Sequence, residues 1–188
     1  MDLCLILRIQ ARANRLANHR LHGAMGALTD AAFHAPRTSF FPSLAQTLNH
    51  ILVVDLYYLG ALLAEPSHGQ IFDQYAAADD LATLAARQRN SDERLIAFCE
   101  QLSAERCAAP VAMDRGRGRV QRDQVAHVLM HMFMHQTHHR GQAHAMLSGT
   151  VIAPPQLDEF VMPSDAHFRT LDVTALGWDE AQVYPTPR

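Results

Sequence analysis

The chain has 188 residues, with 16 basic and 19 acidic side chains and a formal charge of −3. One domain with a sizeable core is expected, and the charge gives no electrostatic reason for nucleic-acid binding. All sixteen basic residues are arginine, which excludes a catalytic lysine, a Schiff base and a P-loop. Cys4, Cys99 and Cys107 include no C-x-x-C pair, so neither a disulfide framework nor a zinc ribbon is indicated, and a reducing cytoplasm is the simplest home. The N-terminus is apolar for only a few residues before Arg8, Arg12 and Arg15, and it lacks the cleavage site of a signal peptide. No apolar run approaches the ~20 residues needed to cross a membrane.

Abundant alanine and leucine with few β-branched runs favour helix over sheet. Residues 3 to about 28 read as a first helix, with Leu5, Ile9, Ala13, Leu16 and Leu21 on its apolar face and arginines on the other side. His19 and His22 fall near its end, where Gly23 and Gly26 weaken it. Residues 29 to 38 read as a loop in which His34 is solvated surface. A second helix starts between Ser39 and Ser43, with Pro42 in its first turn and Thr38 or Ser43 as cap, and Pro66 ends it. This helix is apolar nearly all round, so His50 and Asp55 are polar groups in an apolar setting where each needs a partner. Residues 67 to 75 form a loop. A third helix covers about 76 to 104, with a fresh capped start at Ser91-Asp92-Glu93. The stretch Ala108 to Arg122, with Pro110, Gly116 and Gly118, reads as an exposed loop or short hairpin.

The fourth helix, about 120 to 148, holds the most informative segment: His131-Met-Phe-Met-His135-Gln-Thr-His138-His139-Arg140-Gly141-Gln142. Histidines four apart on a helix sit about 40° and 6 Å apart, close enough for two imidazoles to bind one ion. Three pairs qualify: His127/His131, His131/His135 and His135/His139. The apolar stripe of Val125, Val128, Leu129, Met132, Ala143, Met146 and Leu147 centres on Met132. On the wheel, His139 lies about 20° and His135 about 60° from that centre, while His127, His131 and His138 lie roughly 100° or more away. His135 and His139 therefore point inward, and His50 is their natural third partner. Met130, Phe133 and Met134 lie off the core centre, as a dimer contact or a surface covered by the tail would. The tail after Gly149, with Pro154-Pro155, a helical turn near 165 to 171 and Trp178, is expected to pack over the helices. The whole of 1–188 reads as one domain, core about 3–150 and extension 151–188.

Four long helices imply an all-α four-helix bundle, which places metal sites between facing helices. Three neutral imidazoles plus an open position is the donor set of a catalytic metal. The cofactor expected is one divalent transition metal, zinc, nickel, iron or manganese, since imidazoles do not fix its identity. Each imidazole's second nitrogen needs an acceptor, for which Asp55, Gln142 and backbone carbonyls are candidates. Tyr57, Tyr58 and Arg140 are candidates to line a pocket beside the ion.

The chain resembles the DinB (damage-inducible) family in Asn49-His50-Ile51-Leu52 followed by Asp55, in His135-Gln-Thr-His138-His139-Arg140-Gly141-Gln142, and in Pro154-Pro155-Gln-Leu157-Asp158. The resemblance covers roughly residues 3 to 160. It implies an up-down-down-up DinB/YfiT-like bundle, often dimeric, with metal ligands at His50, His135 and His139. The wider superfamily resembles mycothiol-dependent isomerases and bacillithiol transferases, so a low-molecular-weight thiol is an expected second cofactor, and the arginines at 115 to 122 could bind such an anion. The expectation is a metal-binding protein, either a thiol-dependent transferase or hydrolase acting on a small molecule, or a non-catalytic stress-response or interaction module. A cytoplasmic homodimer that binds neither nucleic acid nor membrane completes it.

Overall fold

A computed structural model describes residues 2–184. The chain is mostly helical, with one small two-stranded sheet. Helix α1 (Leu3–Met25) starts at Asp2, whose carboxylate accepts from Leu5 N at 2.7 Å. A short α2 (Asp30–His34), capped by Thr29, occupies the stretch read as a loop. Helix α3 (Leu44–Leu62) is capped by Ser43, whose Oγ accepts from Gln46 N at 3.1 Å. After a 3-10 turn and α4 (Ile71–Gln74) comes α5 (Leu81–Glu100). The expected third helix thus begins later and ends earlier than 76 to 104, because Asp80 caps it through Thr83 N. It has no break at Ser91; Ser91 and Asp92 lie mid-helix and buried, because their side chains serve the interior rather than a new N-terminus.

Helix α6 (Ala104–Ala108) leads into a hairpin of β1 (Pro110–Asp114) and β2 (Val120–Gln124), antiparallel with Ala112 opposite Arg122. Of the two readings for this stretch the hairpin holds; its turn uses Gly116, Arg117 and Gly118 at positive φ, which the two glycines adopt without strain. Residues 120 to 124, expected in the fourth helix, pair as β2, and α7 runs Val125–Leu147. The tail carries α8 (Ala166–Ala175) and α9 (Glu180–Val183).

The four long helices pack as neighbours, α1 against α5 and α7, and α3 against α5 and α7. One apolar cluster joins the first halves of α1 and α7 (Leu7, Leu129) to the second halves of α3 and α5 (Leu59, Leu95). A second cluster joins the other ends (Leu21, Leu48, Leu84, Leu147). Hence α1 and α7 run one way and α3 and α5 the other. The tail forms a third cluster, in which Phe160, Val173 and Val183 bury against Ala13, Leu16 and Ala17 of α1.

Two expectations are corrected here. The arginines of α1 are not all on its outer side. Arg8 is buried and donates to the carbonyl of Cys99, in the last turn of α5, and to that of Leu102, just past its end, at 3.3 and 2.9 Å, adding donors where a helix C-terminus has too few. Phe133 is core, whereas Met130 and Met134 are exposed at 53% and 68%, so the tail does not cover them. No described helix is long and apolar enough to cross a membrane.

Candidate metal centre

His50 sits in the first half of α3, His135 and His139 one turn apart on α7, and the packing of these two helices brings them together. One nitrogen from each lies within 4.8 Å of the others, the single such group of histidines, cysteines and carboxylates among the described residues. His50 Nε2 and His135 Nε2 stand 3.1 Å apart. His139 is buried and His135 half-buried, in the order the helical wheel gives for α7, and His50 is half-buried as well. Phe41, in the loop leading into α3, lays its ring on His50 at 4.3 Å between centroids and reaches His139 at 5.6 Å.

His139 Nδ1 lies 2.8 Å from Gln142 Oε1. An amide oxygen only accepts, so Nδ1 carries the hydrogen and Nε2 keeps a free lone pair. Burial lowers the His50 pKa to about 4 and the His135 pKa to about 3, with neighbouring His139 adding to each. Burial lowers His139 as well, against the opposing hydrogen bond to Gln142. The three rings are therefore held neutral, the form that binds a metal.

This donor set fits a transition metal. Two nitrogens on one tetrahedral zinc, each at about 2.0–2.1 Å, lie roughly 3.3 Å apart, close to the 3.1 Å of His50 and His135. Two facing imidazole nitrogens can share at most one hydrogen, so an ion is a natural bridge between lone pairs. His135 Nδ1 is buried and bonds nothing among the described residues, leaving that ring with capacity the fold does not use.

Of the candidate supporting residues, Gln142 is hydrogen-bonded to His139. Asp55 does not reach an imidazole. It lies in the interior, where Gln88 and Gln136 donate to its Oδ2 at 2.8 and 2.7 Å, one full turn and more beyond His50 along α3. Arg140 points away from the site. It donates to Asn14 and Asn18 of α1 at 2.5 and 2.9 Å and to Gln136 at 3.0 Å, because α7 turns its next residue toward α1. Tyr57 donates to the Asp114 carbonyl at 2.7 Å, and Tyr58 accepts from Arg115 at 3.1 Å, so both serve the hairpin. His127, His131 and His138 are exposed. His138 nevertheless meets the Gln142 amide at 3.1 Å.

Several residues carry roles the sequence did not announce. Asn14, Asn18, Gln88, Asp92 and Gln136 are buried and, with Asp55 and Arg140, form one hydrogen-bonded network to which all four long helices contribute. Burial raises Asp55 well above the usual carboxylate range, raises Asp92 to about 6 and lowers Arg140 to about 10. Asn49 donates to Ala45 and Ala78 and accepts from Tyr75 and Ala78 N, so it fastens the loop before α5 beside His50. That loop and Phe41 bound a groove of about 320 Å³ whose wall includes His50. Only the apolar character of Phe41 ahead of a cap was available to signal its place.

Over 148 residues the chain is 25% identical to Protein DinB of Bacillus subtilis (strain 168), covering 75% of this chain and 85% of that protein. The sequence profile of the DinB family matches residues 10–167, which include all three histidines, and the chain belongs to that family.

Proposed function

We propose that the protein binds one divalent transition metal through His50, His135 and His139, in the four-helix bundle formed by α1, α3, α5 and α7, and that this centre is the active site of a metal-dependent enzyme acting on a small molecule. The observation that carries the reading is the convergence of three neutral imidazoles from two facing helices, two of their nitrogens 3.1 Å apart. A bound divalent ion with a free position supplies Lewis acidity, activating water or a thiol for hydrolysis or transfer.

The chain's own residues supply the rest. Gln142 fixes the tautomer of His139. Phe41 shields one face of His50 from water, and the groove beside His50 gives a small substrate a way in. A low-molecular-weight thiol is the cosubstrate this reading favours. No cysteine serves the centre, since Cys99 and Cys107 are buried elsewhere with pKa raised by burial to about 12 and about 11. The reading includes a homodimer, for which the exposed Met130 and Met134 of α7 offer an apolar surface.

The test is metal content by mass spectrometry on tag-free protein, wild type beside His50→Ala and His139→Ala. About one ion per chain, lost in both variants, is the expected result and justifies a screen of thiol substrates. Metal retained in both places the ions on the exposed histidines of α7 and removes the basis of the reading.

A further inference from the structure

We propose that a second site, on α1 and α5 and sharing no residue with the three histidines of α3 and α7, binds the oxyanion head of a small organic anion, a carboxylate or a phosphate. It is a pocket of about 500 Å³ between the second half of α1 and the first half of α5, with Arg15 and His22 on one wall, Arg89 on the other and Phe33 and Leu81 as an apolar end. The volume suits a small ligand with an apolar body.

The carrying observation is Arg15. Its side chain is only 6% exposed and lines this pocket. Among the described residues it has no hydrogen bond or ion pair, although a buried guanidinium with five donors ordinarily has several. Asp92 and then Glu93 are the carboxylates that act on its charge, but the oxygens of Asp92 already accept from Asn18 and Gln88, and Glu93 is exposed and forms no ion pair with it among the described residues. The Asp80 carboxylate is likewise engaged, on the backbone N and hydroxyl of Thr83 at 2.7 Å each. Asp30 is exposed at the rim. His22 and His19 add ring nitrogens that bond nothing among the described residues, and burial together with Arg15 holds both rings toward the neutral form. An oxyanion supplies the acceptors that these donors lack. The planar fork of arginine matches carboxylate and phosphate geometry alike.

The inference is independent of the metal reading. Its test uses the full-length protein with inorganic phosphate and with benzoate as probes, followed by titration calorimetry and by NMR of the arginine Nε–H and histidine ring signals. Binding of either probe with shifts at Arg15 and His22 is expected. Phosphate alone marks a phosphoryl head, and benzoate alone marks a carboxylate with an apolar body. Arg15→Met should weaken binding about tenfold or more, as the loss of a charge-assisted contact does. Ala82→Trp, on the exposed pocket wall, should block it without touching a buried group, and His50→Ala should leave it unchanged. Neither probe shifting Arg15 or His22 at millimolar concentration, or equal affinity in the Arg15→Met and Ala82→Trp variants, overturns the proposal and leaves Arg15 a buried structural arginine only.

Discussion

His139 and Gln142 are joined by a hydrogen bond, Nδ1 to Oε1 at 2.8 Å, between one of the three candidate ligands and a side chain of the same helix. Because Gln142 follows three residues later on the same helix, the pair is built by α7 alone and does not depend on tertiary packing. Gln142→Ala should therefore leave the fold and melting temperature nearly unchanged. Metal affinity should fall about 10- to 100-fold, the usual effect of removing such a partner. Competition with a chromophoric chelator measures this; an unchanged affinity would show that the ring holds its orientation without the amide.

Metal binding should survive to unusually low pH. An exposed histidine protonates near pH 6.5, whereas His50 and His135 have pKa values lowered to about 4 and about 3. Competition from protons for these nitrogens thus begins well below pH 6.5. Half-release of metal is expected below about pH 5; release centred near pH 6.5 would point to exposed histidines instead. Pulling one ion off over a pH series and counting it in the filtrate is sufficient.

Asp55 should make the protein less stable as pH rises. Burial raises its folded-state pKa above the unfolded value of about 3.9. The folded state then binds more protons than the unfolded state between those two values. Its contribution is full below about pH 4 and is lost as pH rises through the folded pKa. Asp55→Asn keeps an oxygen for the Gln88 and Gln136 amides and removes the charge. It should melt above wild type at pH 8, by about 2–4 °C for each kcal/mol gained, with the gap closing toward pH 4. Asp55→Ala instead strands two buried amide donors, at about 1–3 kcal/mol each. Thermal melts at several pH values separate these outcomes; a gap that stays constant with pH would mean that Asp55 does not change its protonation on folding.

The tail depends on Arg20. Its guanidinium donates to the carbonyls of Gln156 and Phe168 at 2.8 and 2.9 Å, pairs with Glu159 and Asp172, and covers the Phe160 ring at 4.5 Å. Arg20→Met removes all of these while keeping the stem. Chymotryptic cleavage after Phe160 and Phe168 should accelerate about tenfold while the helical core stays intact, since local opening is governed by local contacts. Metal content should not change.

The three clustered histidines were legible because each breaks a pattern. His135 and His139 fall inside an apolar stripe of period 3.6, and His50 interrupts a helix that is apolar all round. The buried network was not legible for the opposite reason. Asn14, Asn18, Gln88 and Gln136 stand singly among polar and small residues, where one helix gives no sign that its partners face inward. Arg8 and Arg15 misled similarly, since an arginine beside other arginines reads as a wet face until packing closes over it. The α5 boundaries missed because the propensity of 76 to 80 is helical, while Asp80 and the loop fastened by Asn49 decide the start.

His50 and His135 stand 85 positions apart in the chain, and the segment between them, which includes α4, α5, α6 and the hairpin, is looped out by their contact. An ion held across that separation would act as a reversible staple on a long chain segment, whose entropic cost of closure grows only slowly with length. Such a staple cannot close until α3 and α7 have docked, so uptake of metal during refolding reports the completion of the interior and not the appearance of helices.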